Sequence, residues 1–145
     1  MTTADTKIAD KLAKYEKLEL GKTKVLMIED DPFISQIVIT KLSKSGCIPY
    51  STTDGSEAIA LAEQFMPDVI ILDLMLPGVS GEEILKIVKS KENLKNIPVI
   101  VFTNRSSPAD TNRIIGLGAA KYMLKVDTDL NVLVQSIKEL APQQS

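Results

Sequence analysis

Acidic, hydroxyl-bearing and basic side chains stand directly after short apolar blocks of this sequence. An acidic run follows residues 25–28, an aspartate follows residues 69–72, and a threonine and a lysine follow two later blocks. These residues are Glu29, Asp30, Asp31, Asp73, Thr103 and Lys125. If the blocks are parallel strands, their carboxyl ends meet at one edge of the sheet, where ligands of open α/β sheets bind. The sequence therefore predicts carboxylates, a hydroxyl and an ammonium at a single site.

The predicted cluster suits a divalent cation and a phosphoryl group. Two carboxylates about 4 Å apart repel each other by about 4 kcal/mol at an effective dielectric of about 20, so they need a shared cation. Oxygen ligands without histidine or cysteine favour Mg²⁺, which keeps several waters and readily bridges to a phosphoryl oxygen. Thr103 would donate a hydrogen bond and Lys125 would supply positive charge to the other phosphoryl oxygens. The pattern therefore favours phosphorylation of one of the protein's own aspartates.

Five short segments are predicted to be strands. Three apolar blocks are too short for helices and are interpreted as strands buried on both faces: residues 25–28, 69–72 and 99–102. Residues 48–52 contain Pro49, which lacks an amide donor, and residues 122–124 form a short segment. Both are therefore expected at the edges of the sheet.

Segments with helical spacing of apolar residues separate these strands. Asp31 stands before Pro32 and Ser107 stands before Pro108, which is typical of helix starts. Thr128 stands before the last helical segment. Five βα units with right-handed crossovers predict an α/β fold, a doubly wound five-stranded parallel sheet with helices on both faces.

Composition limits the functions that this sequence can have. With 145 residues, of which 44% are hydrophobic, the chain is expected to fold as one domain. It has no histidine and a single cysteine, Cys47, which excludes histidine metal sites, an internal disulfide and histidine-containing triads. A net charge of −2 predicts no general attraction to nucleic acid or anionic membranes. The sequence shows neither a signal peptide nor a membrane-spanning stretch, so a cytoplasmic location is expected.

Residues 1–21 are expected to form an amphipathic helix before the domain. Thr6 is a candidate N-cap and Gly21 a stop signal. The apolar residues share one predicted face: Ile8, Leu12, Tyr15 and Leu18. Such a helix either packs on the domain or binds a partner or a second copy. The expected organisation is an N-terminal helical extension over 1–21, a domain over 22–141 and a tail over 142–145.

Four motifs, in this order, resemble those of the response-regulator receiver domain of two-component signalling, the CheY-like family. They are VLMIEDDP with Glu29 and Asp30, VIILDLMLPGVSG with Asp73, PVIVFTN with Thr103, and GAAKYMLK with Tyr122 and Lys125. The resemblance extends from Lys22 to about Ala141. It implies a flavodoxin-like sheet with the strand order 2-1-3-4-5.

The resemblance also implies the metal ligands and the phosphoacceptor. Asp73 would accept a phosphoryl group from a phosphohistidine of a histidine kinase or a histidine phosphotransfer protein. Asp30 and Asp73 would bind Mg²⁺ directly. Glu29 would act through a water molecule, and the backbone carbonyl of Met75 would complete the protein ligands.

Thr103, Lys125 and Tyr122 have implied roles after phosphorylation. Thr103 and Lys125 would hold the phosphoryl group, and Thr103 would shift toward it. Tyr122 would then move inward and remodel the surface of the last helices and strand. The implied output is a downstream protein target, with no direct contact with nucleic acid or membrane.

Two residues depart from the family pattern. Val126 follows Lys125 where the family usually has proline in a cis peptide. The bond here is expected to be trans, because a cis bond before a residue other than proline costs roughly 2.5 to 4 kcal/mol. Asn104 stands where the family usually has a small residue and could narrow access to Asp73.

The leading hypothesis is a stand-alone receiver that signals through a conformational change or a phosphorelay. It would not be a conventional enzyme, because it would catalyse only its own Mg²⁺-dependent phosphorylation and its autodephosphorylation. The alternative is a pseudo-receiver, a protein-interaction module that acts without phosphorylation, which Val126 and Asn104 favour. A phosphatase with an aspartate nucleophile would normally need a second acid two residues after Asp73, where Met75 stands.

Overall fold

A computed structural model describes Ile8, residues 22–105 and residues 107–142 of the chain. Within these ranges strands and helices alternate. The strands are β1 (Lys24–Ile28), β2 (Ile48–Thr52), β3 (Val69–Leu72), β4 (Val99–Thr103) and β5 (Lys121–Leu124). The helices are α1 (Pro32–Lys44), α2 (Ala58–Phe65), α3 (Gly81–Ser90), α4 (Pro108–Gly116) and α5 (Leu130–Leu140), with a short 3₁₀ helix at Gly55–Glu57.

The strands form one parallel sheet in the order β2-β1-β3-β4-β5. In this sheet Leu26 of β1 lies between Tyr50 of β2 and Ile70 of β3. The predicted doubly wound α/β fold with flavodoxin-like strand order is therefore confirmed. Strands β2 and β5 are outermost, so Pro49 lies at an edge, where its missing amide removes no bond from a central ladder.

Two apolar layers cover the two faces of the sheet. On one face, residues such as Leu26 and Ile70 join a cluster with apolar residues of α2, α3 and α4. On the other face, residues such as Val25 and Ile71 join a cluster with α1 and α5. The central strands are buried on both sides, which is why they are continuous apolar blocks rather than alternating patterns.

Short polar residues cap the helices that begin at the carboxyl edge of the sheet. The Asp31 carboxylate accepts hydrogen bonds from two amides in the first turn of α1, at 2.9 and 3.4 Å. The Ser107 hydroxyl accepts one from the first turn of α4 at 3.4 Å. Helix α5 is capped by Asp129, whose carboxylate accepts an amide hydrogen bond at 2.7 Å. The sequence indicated Thr128 as the start signal of this helix, but the residue that caps it is Asp129.

Ile8 is the described part of the N-terminal extension. It is helical and 3% exposed, and it belongs to the apolar cluster that includes Phe65 of α2. The rest of the predicted helix over 1–21 and residues 143–145 lie outside the described residues. The expected division into extension, domain and tail stays a prediction. Among the helices described here, none is long and apolar enough to cross a membrane.

Candidate functional site

Three carboxylates meet at the carboxyl edge of the sheet. Glu29 and Asp30 follow β1, and Asp73 follows β3, the strand next to it. One carboxylate oxygen of each lies within 4.8 Å of those of the other two. Glu29 and Asp73 are buried, with 1% and 4% of their surface exposed, whereas Asp30 is exposed. The structure thus brings together three of the four acids that the sequence placed at this edge, whereas the fourth, Asp31, caps α1.

Lys125 places its ammonium between the two buried carboxylates. Its Nζ lies 2.7 Å from Oδ2 of Asp73 and donates to Oε1 of Glu29 at 2.9 Å. Only 10% of the Lys125 side chain is exposed. Because a buried carboxylate is costly without a counter-charge, this ammonium allows Glu29 and Asp73 to be buried side by side.

The local environment sets the protonation of these groups. Burial raises the pKa of Glu29 from 4.5 to about 7, against the effect of its hydrogen bond with Lys125. Burial works against ionised Asp73 too, but hydrogen bonds from Lys125, the Met75 amide and Thr103 hold the pKa of Asp73 below its usual value. Burial disfavours the charged form of Lys125, yet its hydrogen bonds to Asp73 and Glu29 raise its pKa overall. At neutral pH Asp73 is therefore an ionised carboxylate.

The environment of one oxygen of Glu29 is suited to binding a cation. Oε1 accepts hydrogen bonds from Lys125 and from the amide of Asp31, the latter at 3.2 Å. Oε2 is buried, and although Lys125 Nζ is 2.7 Å away, Oε2 has no hydrogen-bond partner within the described ranges. A buried carboxylate oxygen that has this ion pair but no hydrogen bond, beside two further carboxylates, fits a hard cation such as Mg²⁺, Ca²⁺ or Mn²⁺.

The loop after β3 holds Asp73 in position. The Met75 amide donates to Oδ1 of Asp73 at 3.1 Å. A Cβ on Gly81, at the start of α3, would lie 2.1 Å from the backbone carbonyl oxygen of Asp73, so only glycine allows this close approach. The Met75 side chain is 59% exposed, and a role for its carbonyl as a metal ligand stays a prediction.

Thr103 ends β4 beside Asp73 and is completely buried. Its hydroxyl contributes a hydrogen bond that lowers the pKa of Asp73, and its oxygen accepts the Arg105 amide at 3.4 Å. Thr103 thus contacts both the acidic cluster and the loop between β4 and α4. This is the position expected from the sequence.

Tyr122 is part of β5, away from the acids, and contacts the same loop between β4 and α4. Its hydroxyl donates to the backbone carbonyl of Arg105 at 2.5 Å, and burial raises its pKa. Arg105 in turn lies 3.7 Å from Asp110, which pairs with Arg113 at 2.9 Å. The sequence motifs indicated Tyr122 but not the Arg105 carbonyl that binds it, because a backbone acceptor leaves no trace in residue type.

The two departures from the family pattern lie beside this site. Val126 is 76% exposed, and the described part of the chain contains no cis peptide, as expected for this bond. Asn104 is exposed and lines a cavity of about 330 Å³ between α1 and α5, together with Val126 and Lys125. A separate cavity of about 500 Å³ adjoins Asp30 and Met75 and is not lined by Asn104. Neither departure prevents Lys125 from reaching Asp73.

Known proteins are similar to this chain in sequence. The family profile described as the response regulator receiver domain matches residues 25–138. The probable transcriptional regulator ycf27 of Guillardia theta is 36% identical over 104 residues, 72% of this chain and 40% of ycf27. The polar-differentiation response regulator DivK of Brucella ovis is 36% identical over 101 residues, 70% of this chain and 82% of DivK.

A solved structure agrees with these sequence relatives. The chemotaxis response regulator CheY4 of Vibrio cholerae superposes with a TM-score of 0.75 and 28% identity, over 82% of this chain and 98% of that one. The chain spans about two fifths of the length of ycf27 and of three other transcriptional regulators that it matches. With the profile match from the first strand to the last helix, the chain belongs to the response regulator receiver domain family of two-component signalling.

Proposed function

We propose that this receiver accepts a phosphoryl group on Asp73 from a phosphohistidine of a histidine kinase or phosphotransfer protein. The observation that carries the proposal is the cluster of Glu29, Asp30 and Asp73, in which the Lys125 ammonium pairs with Glu29 and Asp73. Asp73 is the one acid of this cluster that is buried, ionised and bonded to both a lysine and a backbone amide. These contacts orient its carboxylate while leaving lone pairs available for attack.

Asp30 and Asp73 are proposed to bind Mg²⁺ directly, Glu29 through a water molecule, and Met75 through its carbonyl. When bound, the cation supplies positive charge to the transferring phosphoryl oxygens. Oε2 of Glu29, which is buried and lacks a hydrogen bond, supports this assignment.

In the transfer, an Asp73 oxygen forms a bond to phosphorus as the bond from phosphorus to the donor imidazole nitrogen breaks. The imidazole leaves with the bonding electron pair. Lys125 and Thr103 are the donors beside Asp73, so they are proposed to bind the oxygens of the transferred group.

The proposed response begins at Thr103 and reaches Tyr122 through one loop. When Thr103 turns toward the phosphoryl group, its hydrogen bond from the Arg105 amide changes. The Arg105 carbonyl holds the Tyr122 hydroxyl, so the same movement reaches the surface near β5. The output is then recognition by a downstream protein, or transfer of the phosphoryl group in a relay; direct contact with nucleic acid or membrane is not proposed.

Labelling with a small phosphodonor tests the proposal. Acetyl phosphate with Mg²⁺ should add one phosphoryl group to the wild-type protein, as read by intact mass, and Asp73→Asn should abolish the adduct. Asp127→Asn, an exposed acid at the same edge of the sheet, is the matched control and should label normally. An unmodified wild-type protein that also shows no change with beryllofluoride would instead support the pseudo-receiver.

A further inference from the structure

A threonine hydroxyl closes the turn between β5 and α5. Residues 125–127 form this turn. Oγ1 of Thr128 donates to the carbonyl of Leu124 at 2.7 Å, and the Asp127 amide donates to the same carbonyl at 3.2 Å. Two donors therefore fix the last carbonyl of β5, in the residue immediately before Lys125.

The direction of Lys125 depends on this turn. The Lys125 amide donates to the carbonyl of Thr103 at 3.0 Å, which extends the pairing of β4 and β5 by one residue. Beyond that point, Val126 is 76% exposed and has no proline ring to restrict its backbone. After Lys125, the hydrogen bond from the Thr128 side chain to the Leu124 carbonyl thus holds the turn of residues 125–127 in place.

We infer that Thr128 is a positioning residue whose hydroxyl, bonded to Leu124, keeps the Lys125 ammonium between Glu29 and Asp73. The hydroxyl is not needed to start α5, because Asp129 caps that helix. Thr128 acts through Lys125 rather than by touching the acids. Its consequence for phosphoryl transfer rests on the proposed function.

Two substitutions separate the hydroxyl from the rest of the side chain. Thr128→Val keeps the branched shape and removes the donor, whereas Thr128→Ser keeps the donor. Ser45→Ala is a matched control, because Ser45 makes the same kind of bond, to the carbonyl of Lys41 at 2.8 Å, at the end of α1. Thermal melts identify any general loss of folding.

The first measurement needs neither metal nor phosphodonor. Acetic anhydride labelling in EDTA, read by peptide mass spectrometry, reports how often the Lys125 amine is free. Its labelling rate should rise about fivefold in Thr128→Val, the factor for a hydrogen bond worth a net ~1 kcal/mol at 1.36 kcal/mol per tenfold. Thr128→Ser and Ser45→Ala should match wild type, with Lys121 as the internal reference. Unchanged Lys125 labelling in Thr128→Val, or an equal rise in Thr128→Ser, overturns the inference.

The second measurement is the rate of phosphorylation by acetyl phosphate with Mg²⁺. Thr128→Val should react about fivefold more slowly than wild type, and Thr128→Ser should restore the rate. Equal rates for wild type and Thr128→Val overturn the positioning role. If wild type itself takes no phosphoryl group, the proposed function fails, and the labelling of Lys125 still decides whether Thr128 positions that side chain.

Discussion

The metal-free protein is expected to lose stability as pH rises from about 5 to about 8, because Glu29 must ionise inside a buried site. Its pKa is about 7 in the folded protein against 4.5 when exposed, so the folded state binds the proton more tightly. The stabilisation from this proton is complete below pH 4.5 and is lost as pH rises through 7. Glu29→Gln removes the titration.

Asp73 and Lys125 do not change their charge in this pH range. The pKa of Asp73 is lowered, so its contribution is lost only in acid, and the pKa of Lys125 is raised, so its contribution is lost only in base. The chain has no histidine. At 1.36 kcal/mol per pKa unit, a rise from 4.5 to about 7 corresponds to about 3 kcal/mol of unfolding free energy. For a chain of this size that is a fall of roughly 10 °C in melting temperature.

The assay is urea unfolding in EDTA at a series of pH values between about 5 and 8. Wild type should show a declining free energy of unfolding, Glu29→Gln a nearly flat profile, and Glu92→Gln, an exposed acid, the wild-type slope. The slope is the readout, because the amide also changes the contact with Lys125. A flat wild-type profile, or the same slope in wild type and Glu29→Gln, would refute the reasoning.

Three further substitutions test other features of the molecule. Asp30→Asn should abolish most of the thermal stabilisation that excess Mg²⁺ gives to wild type; an equal gain in both would place the cation elsewhere. Met66 has a φ of 48°, the left-handed region that favours glycine, so Met66→Gly should raise the free energy of unfolding by about 1 kcal/mol in urea melts, and a loss would contradict this. Ile8 is 3% exposed within the core cluster, so Ile8→Ala should cost about 3 kcal/mol by the same assay, whereas no change would mean that it does not anchor the extension.

Much of the fold was predictable because burial constrains the strand sequences strongly. The blocks that became β1, β3 and β4 are apolar throughout, since both faces of a central parallel strand are covered by helices. Pro49 indicated an edge strand because a central ladder needs its missing donor. The acids and Lys125 were then assigned to one site by topology alone, since parallel strands end at the same edge.

The contacts that were not predictable depend on backbone atoms or on a choice between neighbours. Thr128 and Asp129 are both good capping residues, and only the path of the turn decides which one caps α5. The carbonyls of Leu124 and Arg105 hold Thr128 and Tyr122, yet any residue type supplies a carbonyl. That Oε1 rather than Oε2 of Glu29 accepts the hydrogen bond likewise follows from the direction in which Lys125 reaches the carboxylate.

Charge balance links the proposed cation to the proposed phosphoryl group. Three carboxylates and one ammonium leave two excess negative charges when all are ionised, which a divalent cation neutralises. Phosphorylation replaces the single charge of Asp73 by about two, so without the cation the site would hold about three excess charges around a buried carboxylate. Glu29 relieves the metal-free site by keeping a proton near neutral pH, as its raised pKa of about 7 indicates. A cation that binds there must displace the proton from the fraction of molecules in which Glu29 is protonated. Metal affinity is therefore expected to increase with pH across the same range in which the metal-free protein loses stability.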